Sequence, residues 1–327
     1  MTAPLRIGVI GVGRFGERHL SAYARQEVEI VGVADRDKER ARAVAERFGV
    51  DRWFADSAEL IRDRRPDGVS VVTPGRHHLE PTLTALSHGC SVLLEKPVTT
   101  SSAEVAAIEA AAADSSAFVM PAHILRFAAP YVSLRARVGE GAVGRLLGIH
   151  SRRDRSRDHM QLFPDIHPAL MTLIHDIDLA LWISGAQALR VSAYQRGGEG
   201  DGAPALLWAH VEADDGSLWS LRTSWLLPLH TSLADRLEVY GSDGAVVLDL
   251  QPTVSVFGSS TEAVDHELTP DAHAGAIDAE ISHFCSCIRR GTASDIVTLA
   301  EAAHGVRIAE AIISSAAAGG TQLDVSA

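Results

Sequence analysis

The chain has 327 residues, a length typical of a two-domain protein. Its 42 acidic residues outnumber its 30 basic residues and give a net charge of −12 at pH 7, which argues against a nucleic-acid-binding surface. Hydrophobic residues make up 46% of the chain and charged residues 22%, an ordinary balance that excludes disordered and fibrous proteins.

The cysteine content and the length of the apolar runs indicate the cellular location. Cys90, Cys285 and Cys287 are too few for a disulfide framework and suit a reducing compartment. No second cysteine pair completes a zinc site with Cys285 and Cys287, so we expect no metal. The apolar run at residues 7–12 is too short for a signal peptide, and no run of 18 apolar residues occurs. We therefore expect a cytoplasmic protein that binds neither membranes nor nucleic acids.

The first part of the chain alternates between two kinds of segment. Apolar runs at residues 6–10, 28–34, 68–73 and 91–94 predict buried strands, and the periodic polar segments between them predict helices. Strands that alternate with helices form βαβ units. Residues 1–122 are therefore predicted to form a doubly wound parallel sheet of the Rossmann type.

The pattern changes after residue 122. Helices are predicted at 127–138 and 168–183 and a strand at 144–152, while residues 206–225 and 237–250 each contain a hairpin signature, DDGS or GSDG, between two strands. Helices at 274–289 and 299–315 close the chain. We expect residues 123–327 to form an α+β domain with an open, mainly antiparallel sheet, whose C-terminal helices are candidates to pack back on the first domain.

A glycine-rich loop follows the first predicted strand and opens a helix. Gly11 allows the tight turn, Gly13 lets the backbone approach a pyrophosphate, and Gly16 lets the helix pack closely on the strand. Asp35 ends the second strand, where a carboxylate accepts hydrogen bonds from an adenosine ribose. The carboxylate repels a 2′-phosphate and favours NAD, although the adjacent Arg36 could compensate, so NADP stays an alternative.

Two further motifs end neighbouring strands, at the sheet edge where such folds bind ligands. Residues 73–78 read TPGRHH and residues 95–97 read EKP. With the glycine loop they resemble the Gfo/Idh/MocA family of NAD(P)-dependent oxidoreductases, which act mostly on sugars, polyols and their derivatives. The resemblance runs almost the length of the chain and includes residues 126–130, 175–179 and 280–284.

The resemblance implies roles for particular residues. Lys96 matches the family lysine that contacts the reacting hydroxyl and the nicotinamide, and Pro97 matches a proline often preceded by a cis peptide. His175 matches the histidine that acts as base or binds the substrate. Two positions depart from the family: Met171 stands where an aspartate is usual, and Gly75 where an asparagine is usual. The outer sheet face often forms dimers in this family, so a homodimer or homotetramer is expected.

General chemistry supports the same roles. Oxidation of an alcohol by hydride transfer needs a base for the hydroxyl proton and a cation near the oxygen. Imidazole titrates near neutral pH, so His175 suits the base, while Lys96 could be the cation or take the proton itself. In a regular helix Met171, His175 and Asp178 share one face. Asp178 is as well explained by a structural role, in which it bonds the backbone or orients His175.

We therefore predict an NAD(P)-dependent dehydrogenase that transfers a hydride between the cofactor and a hydroxyl or carbonyl carbon of a sugar, polyol or sugar derivative, with Lys96 and His175 as its catalytic residues. Cofactor contacts are expected from Gly11, Gly13, Arg14, Phe15, Gly16, Asp35, Arg36, Thr73, Pro74, His78, Glu95 and Lys96. Substrate contacts are expected from His123, Arg126, Arg153, Met171 and Asp178. The arginine run at residues 152–157 would favour an anionic substrate if it lined the cleft.

Three other functions remain open at this point. An enzyme of the same fold could use NAD only transiently, to cleave glycosides by oxidation, elimination and re-reduction. A regulatory protein could bind the dinucleotide without catalysis, a reading that Met171 favours mildly. A metal-dependent hydrolase could use Asp165, His167 and His175, although no metal-binding spacing supports it.

Overall fold

A computed structural model of the chain describes residues 3–197, 203–229, 231, 234–250 and 275–325. The chain divides into two units, one of Met1–Phe127 with Gly275–Ala303 and the other of Ala128–Ala274 with His304–Ala327.

Among the described residues, no helix is long and apolar enough to cross a membrane. All three cysteines are reduced and buried.

The first unit contains a parallel six-stranded sheet in the order β3-β2-β1-β4-β5-β6, the order of a Rossmann fold. This confirms the predicted doubly wound sheet. The strands are β1 (Leu5–Ile10), β2 (Val28–Ala34), β3 (Trp53–Phe54), β4 (Gly68–Val71), β5 (Ser91–Glu95) and β6 (Val119–Ala122). The helices between them are α1 (Arg14–Tyr23), α2 (Lys38–Phe48), α3 (Ser57–Arg64), α4 (Leu79–Ser87) and α5 (Ser102–Ala113).

The core of this unit includes a helix from much later in the chain. In α9 (Ala276–Arg290), the buried Ile281 and Phe284 belong to the same apolar cluster as Ile7 and Val9 of β1. Gly68 allows this close packing, because a Cβ there would lie 2.6 Å from Ile288 Cδ1. The first residue of the predicted helix, 274, lies outside the described residues.

The second unit contains a seven-stranded sheet in the order β12-β11-β7-β10-β9-β8-β13. Both predicted hairpins are present as β9/β10 and β11/β12, and only the β7/β10 pair is parallel among the described strands. The sheet is thus mainly antiparallel, as predicted. The strands are β7 (Leu146–Ser156), β8 (Ala188–Arg196), β9 (Leu206–Ala213), β10 (Leu218–Leu227), β11 (Ala234–Gly241), β12 (Gly244–Asp249) and β13 (Leu323–Asp324), and the remaining helices are α6 (Ala129–Gly139), α7 (Asp158–Leu162), α8 (Ile174–Ser184) and α10 (Leu299–Ala317).

The prediction of one regular helix over residues 168–183 is wrong at its start. Residues Ala169–Leu173 form a π-helical turn, and α8 begins only at Ile174. Side chains hold this turn, because His167 Nδ1 accepts the N–H of Ala169 at 3.1 Å and the Trp225 indole donates to Thr172 Oγ1 at 2.9 Å. A π turn shifts the helix register by adding a residue to the turn. The regular spacing assumed for Met171 and His175 therefore does not hold.

Buried ion pairs join α8 to the second sheet. Arg153 of β7 donates two hydrogen bonds to Asp176 of α8, at 2.8 and 3.0 Å, and a third to Asp235 of β11 at 2.5 Å. Arg155 also donates to Asp235, and all four side chains are less than a tenth exposed. Burial raises the pKa of Asp176, and Arg153 opposes that rise. The arginine charges predicted for a cleft are thus neutralised inside this unit.

Removal of Arg153 is expected to destabilise the protein strongly. In Arg153→Met, Asp176 loses the arginine that donates two hydrogen bonds to it, and Asp235 keeps only Arg155 of its two arginine partners. Breaking this buried pair costs about 3–5 kcal/mol of unfolding free energy. Arg152→Met is the control, because Arg152 is a third exposed and contacts Asp154 only at 3.7 Å, a pair worth about 0–1 kcal/mol. Urea denaturation measures both, and equal losses in the two variants would contradict this account.

Candidate functional site

Each glycine of the loop after β1 has a separate physical role. Gly11 has a φ of +86°, and a Cβ there would lie 2.7 Å from the backbone of Val72 and Thr73. A Cβ on Gly16 would lie 2.1 Å from the carbonyl oxygen of Gly11. At Gly13, by contrast, no described atom lies within 4 Å of the Cβ position. The protein itself requires Gly11 and Gly16, whereas Gly13 leaves open space beside the backbone, where a phosphate could approach.

The start of α1 supplies donors at this open space. Gly13 is the N-cap of α1 and provides no side-chain cap, so the first N–H groups of the helix have no partner in the helix itself. Unpaired N–H groups and the helix dipole favour an anion there. Arg14 is exposed at the first helical position, and the ring of Phe15 stacks near His19 with centroids 5.7 Å apart. The loop therefore fits a dinucleotide pyrophosphate.

Asp35 is held beside the same loop. Its Oδ2 accepts the N–H of Val12 at 3.0 Å, its Oδ1 accepts the N–H of Asp37 at 2.9 Å, and Arg40 contacts both oxygens at 3.3–3.4 Å. A carboxylate has about four acceptor positions, and ribose hydroxyls can replace the two long contacts from the half-exposed Arg40. Asp35 and the glycine loop together can hold the pyrophosphate and ribose of NAD.

Positive charge gathers near this carboxylate. Arg36 is exposed next to Asp35, and burial, Arg36 and Arg76 together lower the pKa of His77. Both arginines therefore lie near enough to His77 for their charges to disfavour its protonation. The charge is the feature on which an NADP alternative rests.

His78 connects two loops at the sheet edge, and its contact with a cofactor stays a prediction. Its ring is fully buried, with Nδ1 2.9 Å from the carbonyl oxygen of Pro97 and Nε2 2.7 Å from that of Thr73. His78 therefore braces the loop after β4 against the loop after β5. Thr73 and Pro74 remain at the surface of this edge, where Thr73 donates to the carbonyl oxygen of His77.

Glu95 also faces inward. Its Oε2 accepts the backbone N–H of Lys96 and its Oε1 lies 3.1 Å from His19 Nε2. Glu95 is only 7% exposed and holds the Lys96 segment, while its contact with a cofactor stays a prediction. The Lys96–Pro97 peptide is cis, as the resemblance implied, and Lys96 itself is half-buried.

The residues after β6 were expected at the substrate, but the structure buries them. Arg126 Nη1 donates to the carbonyl oxygen of Ile296 at 2.8 Å and to Glu301 at 3.0 Å, and its side chain has no exposed surface. His123 is 3% exposed. Arg126 thus anchors the segment before α10 in the first unit, and its contact with a substrate stays a prediction.

In the second unit, exposure singles out two residues of the predicted catalytic segment. Met171 and His175 are half-buried, while their neighbours from Thr172 to Ile174 and from Asp176 to Ile183 are buried. Asp178 is 3% exposed and Arg153 is paired with Asp176, so both side chains lie inside this unit. Their contacts with a substrate stay predictions.

The proposed metal set does not assemble. His167 Nε2 lies 2.9 Å from Gln195 Oε1 while Nδ1 caps the π turn, so both ring nitrogens are used. No cluster of three or more His, Cys, Asp or Glu side chains suited to a metal occurs in the described part of the chain.

Sequence reasoning missed His19 and Tyr23, whose four-residue spacing on α1 could have shown that they share a buried face.

Comparison with known proteins covers both units. A family model described as oxidoreductase family, NAD-binding Rossmann fold, matches residues 5–123, and one described as GFO/IDH/MocA C-terminal domain matches residues 131–247. The chain is 26% identical to scyllo-inositol 2-dehydrogenase (NAD(+)) of Bacillus subtilis, over 99% of this chain and 98% of that protein. It is also 26% identical to D-glucoside 3-dehydrogenase of Escherichia coli, over 86% and 88% of the two chains.

Solved structures show the same fold. The crystal structure of scyllo-inositol dehydrogenase from Lactobacillus casei with bound NAD(H) and scyllo-inositol superposes with a TM-score of 0.86 at 19% identity. The superposition covers 99% of this chain and 100% of that chain. At this identity the match establishes the architecture alone.

Two glycine variants separate cofactor binding from folding. Gly13→Ala places a methyl group in open space, so we expect nearly wild-type stability but at least about tenfold weaker NAD binding, as the methyl blocks the pyrophosphate. Gly16→Ala forces apart the helix and the Gly11 carbonyl and is expected to cost about 1–3 kcal/mol of stability. Calorimetric NAD titration and thermal unfolding of both variants test this, and unchanged NAD affinity in Gly13→Ala would count against it.

Proposed function

This chain belongs to the Gfo/Idh/MocA family of oxidoreductases, and we propose that it oxidises a secondary hydroxyl of a neutral cyclic polyol or sugar with NAD. The observation that carries the proposal is the glycine loop. Of its three glycines, Gly13 alone has no described protein atom within 4 Å of its Cβ position, and Asp35 accepts a hydrogen bond from the same loop. Relatives named as inositol and glucoside dehydrogenases support a ring hydroxyl as the substrate.

The roles of the chain's own residues follow from their chemistry. When bound, the nicotinamide cofactor supplies the hydride acceptor. The ammonium of Lys96 stabilises the negative charge that develops on the substrate oxygen, because a fixed cation in a partly buried site acts strongly on such charge. His175 accepts the hydroxyl proton, since an imidazole is suited to take it near neutral pH.

Met171 sets this chain apart from the family pattern. A thioether cannot accept or pass on a proton in the way that a carboxylate does. We therefore propose that His175 keeps the proton that it accepts and does not pass it on through Met171. Asp178 acts as a structural residue, in keeping with its burial.

A neutral substrate is favoured over an acidic one. An anionic group would need a free arginine or lysine to bind it. Within the run at 152–157, Arg153 and Arg155 are buried against Asp176 and Asp235. This pairing supports a hydroxyl-rich, uncharged ligand.

The two lysines of the chain provide a matched test of the proposal. Lys96→Ala should lower kcat with inositols or glucosides by at least about a hundredfold, and His175→Ala by about 10²–10⁴-fold, because each removes a group that acts on the reacting hydroxyl. Lys38→Ala, an exposed change in α2, should leave kcat unchanged. The measurement is nicotinamide reduction with NAD and NADP over a panel of cyclic polyols, sugars and sugar acids.

The outcomes distinguish the remaining functions. Turnover only with sugar acids would contradict the neutral-substrate proposal. Glycoside cleavage without net NADH formation would point to transient use of NAD. Tight NAD binding with no turnover of any kind would favour a regulatory protein.

We also propose that the protein is a cytoplasmic homodimer or homotetramer. One row of paired residues crosses six strands of the second sheet on its outer face: Tyr194, Trp208, Arg222, Arg152, Arg236 and Asp249. Trp208 is 49% exposed, and Arg236 bonds Asp249 within the row. Aromatic and arginine side chains with internally paired charges suit the self-complementary surface of a two-fold interface. The reduced cysteines support the cytoplasmic location.

The assembly can be tested with two tryptophans of similar exposure. Trp208→Glu buries a charge at the proposed interface and should convert the protein to monomers, whereas Trp53→Glu, on β3 of the first unit, should leave the assembly unchanged. Light scattering coupled to gel filtration measures the mass of each variant. A monomeric wild type at micromolar concentration would refute the proposed interface.

A further inference from the structure

A chain of buried polar side chains in the first unit ends at the backbone of Lys96. The Tyr23 hydroxyl lies 2.8 Å from Ser70 Oγ, which lies 3.1 Å from His19 Nδ1. His19 Nε2 lies 3.1 Å from Glu95 Oε1, and Glu95 Oε2 accepts the N–H of Lys96 at 3.1 Å. Every link connects residues from different elements except the last, so the chain ties α1, β4 and β5 together at the Lys96 segment.

One assignment of hydrogens satisfies every link. Tyr23 donates to Ser70, Ser70 donates to Nδ1 of His19, and Nε2–H of His19 donates to Glu95. In this assignment Glu95 accepts at both oxygens, as a carboxylate can. The negative charge of this region then lies on Glu95.

A second carboxyl group lies in the same core. Glu280 of α9 is fully buried, and neither of its oxygens has a hydrogen-bond partner among the described residues. The titratable groups around this core are Glu95 on β5, Tyr23 and His19 on α1, Cys285 on α9 itself and Cys90 before β5. Burial raises the pKa of Glu280 well above its usual range, and the Glu95 carboxyl raises it further.

We infer that Glu280 is a buried structural acid that keeps its proton in the fold and so leaves the negative charge to Glu95. Two carboxylates in one buried region cannot both ionise without a large cost. With Glu280 neutral, Glu95 keeps both of its hydrogen bonds and holds the backbone at Lys96. The consequence for catalysis rests on the role proposed above for Lys96, while the protonation of Glu280 does not.

The first arm of the test measures folding stability against pH, without substrate or cofactor. A group whose pKa is raised in the fold stabilises the protein below its unfolded pKa, and that stability is lost as pH rises toward the folded pKa. Glu280→Gln cannot ionise, so its unfolding equilibrium constant should fall relative to wild type by up to about tenfold for each pH unit above roughly 4.5. Glu46→Gln, an exposed change in α2, should show no such trend.

The unsatisfied amide of Glu280→Gln adds a constant cost, so the trend with pH and not the absolute stability is diagnostic. Glu280→Met has a similar volume and no polar atoms at this site, and it should show the same trend if the glutamine variant fails to fold. Parallel pH curves for wild type and either variant would show that Glu280 is ionised in the fold and would overturn the inference.

The second arm measures catalysis. Because a neutral amide replaces a neutral acid, Glu280→Gln should keep kcat within about twofold of wild type from pH 6 to 9. Glu95→Gln loses the carboxylate that holds Lys96 and should lower kcat by at least about tenfold with little change in the KM for NAD. Loss of kcat in Glu280→Gln equal to that in Glu95→Gln would overturn the inference that Glu280 is neutral in the fold. If no polyol or sugar is oxidised at all, the proposed function fails, and the stability arm still decides the protonation of Glu280.

Discussion

The contact between Gly16 and the carbonyl of Gly11 is the constraint on which the first unit depends. Because no side chain separates them, α1 begins directly after β1 and points its N-terminus at the carboxyl edge of the sheet. The same loop reaches β4 through the close approach of Gly11 to Thr73, and it reaches the end of β2 through the bond from Val12 to Asp35. The ends of three strands are thereby held around one stretch of backbone, and this stretch is where the phosphates of a dinucleotide fit.

Each of the two residues proposed for catalysis is adjacent in sequence to a buried acidic residue. Lys96 directly follows Glu95, a buried acid that binds the Lys96 backbone and His19. His175 directly precedes Asp176, a buried acid that receives two hydrogen bonds from Arg153. In each unit, a half-buried reactive side chain is thus attached to an immobilised neighbour. Buried, well-bonded polar groups restrict local motion, which suits residues that must hold a reacting atom in a defined position.

The same burial supports the proposal of an uncharged ligand. Arginines that looked available in the sequence are committed to internal partners, Arg126 to Glu301 and Arg153 to Asp176. What remains at the surface of the predicted catalytic segment is Met171 and His175, one apolar and one able to carry a proton. This combination suits the proposed binding and deprotonation of a hydroxyl group. Neither side chain is a permanent cation that would bind a carboxylate or phosphate.

The sequence by itself determined the Rossmann sheet, both hairpins of the second sheet, the glycine loop with Asp35 and the position of the Lys96 motif. These features depend on local rules: alternation of apolar residues, turn residues at fixed spacing, and glycines that a close backbone contact demands. Only the tertiary structure decided which polar residues face a ligand and which are bonded inside. Arg126 meets a partner 175 residues away and Arg153 one 82 residues away, while His78, Glu95 and Glu280 are buried by elements that pack from elsewhere in the chain. A polar side chain near a motif can serve either role, and the choice depends on partners that no local pattern specifies.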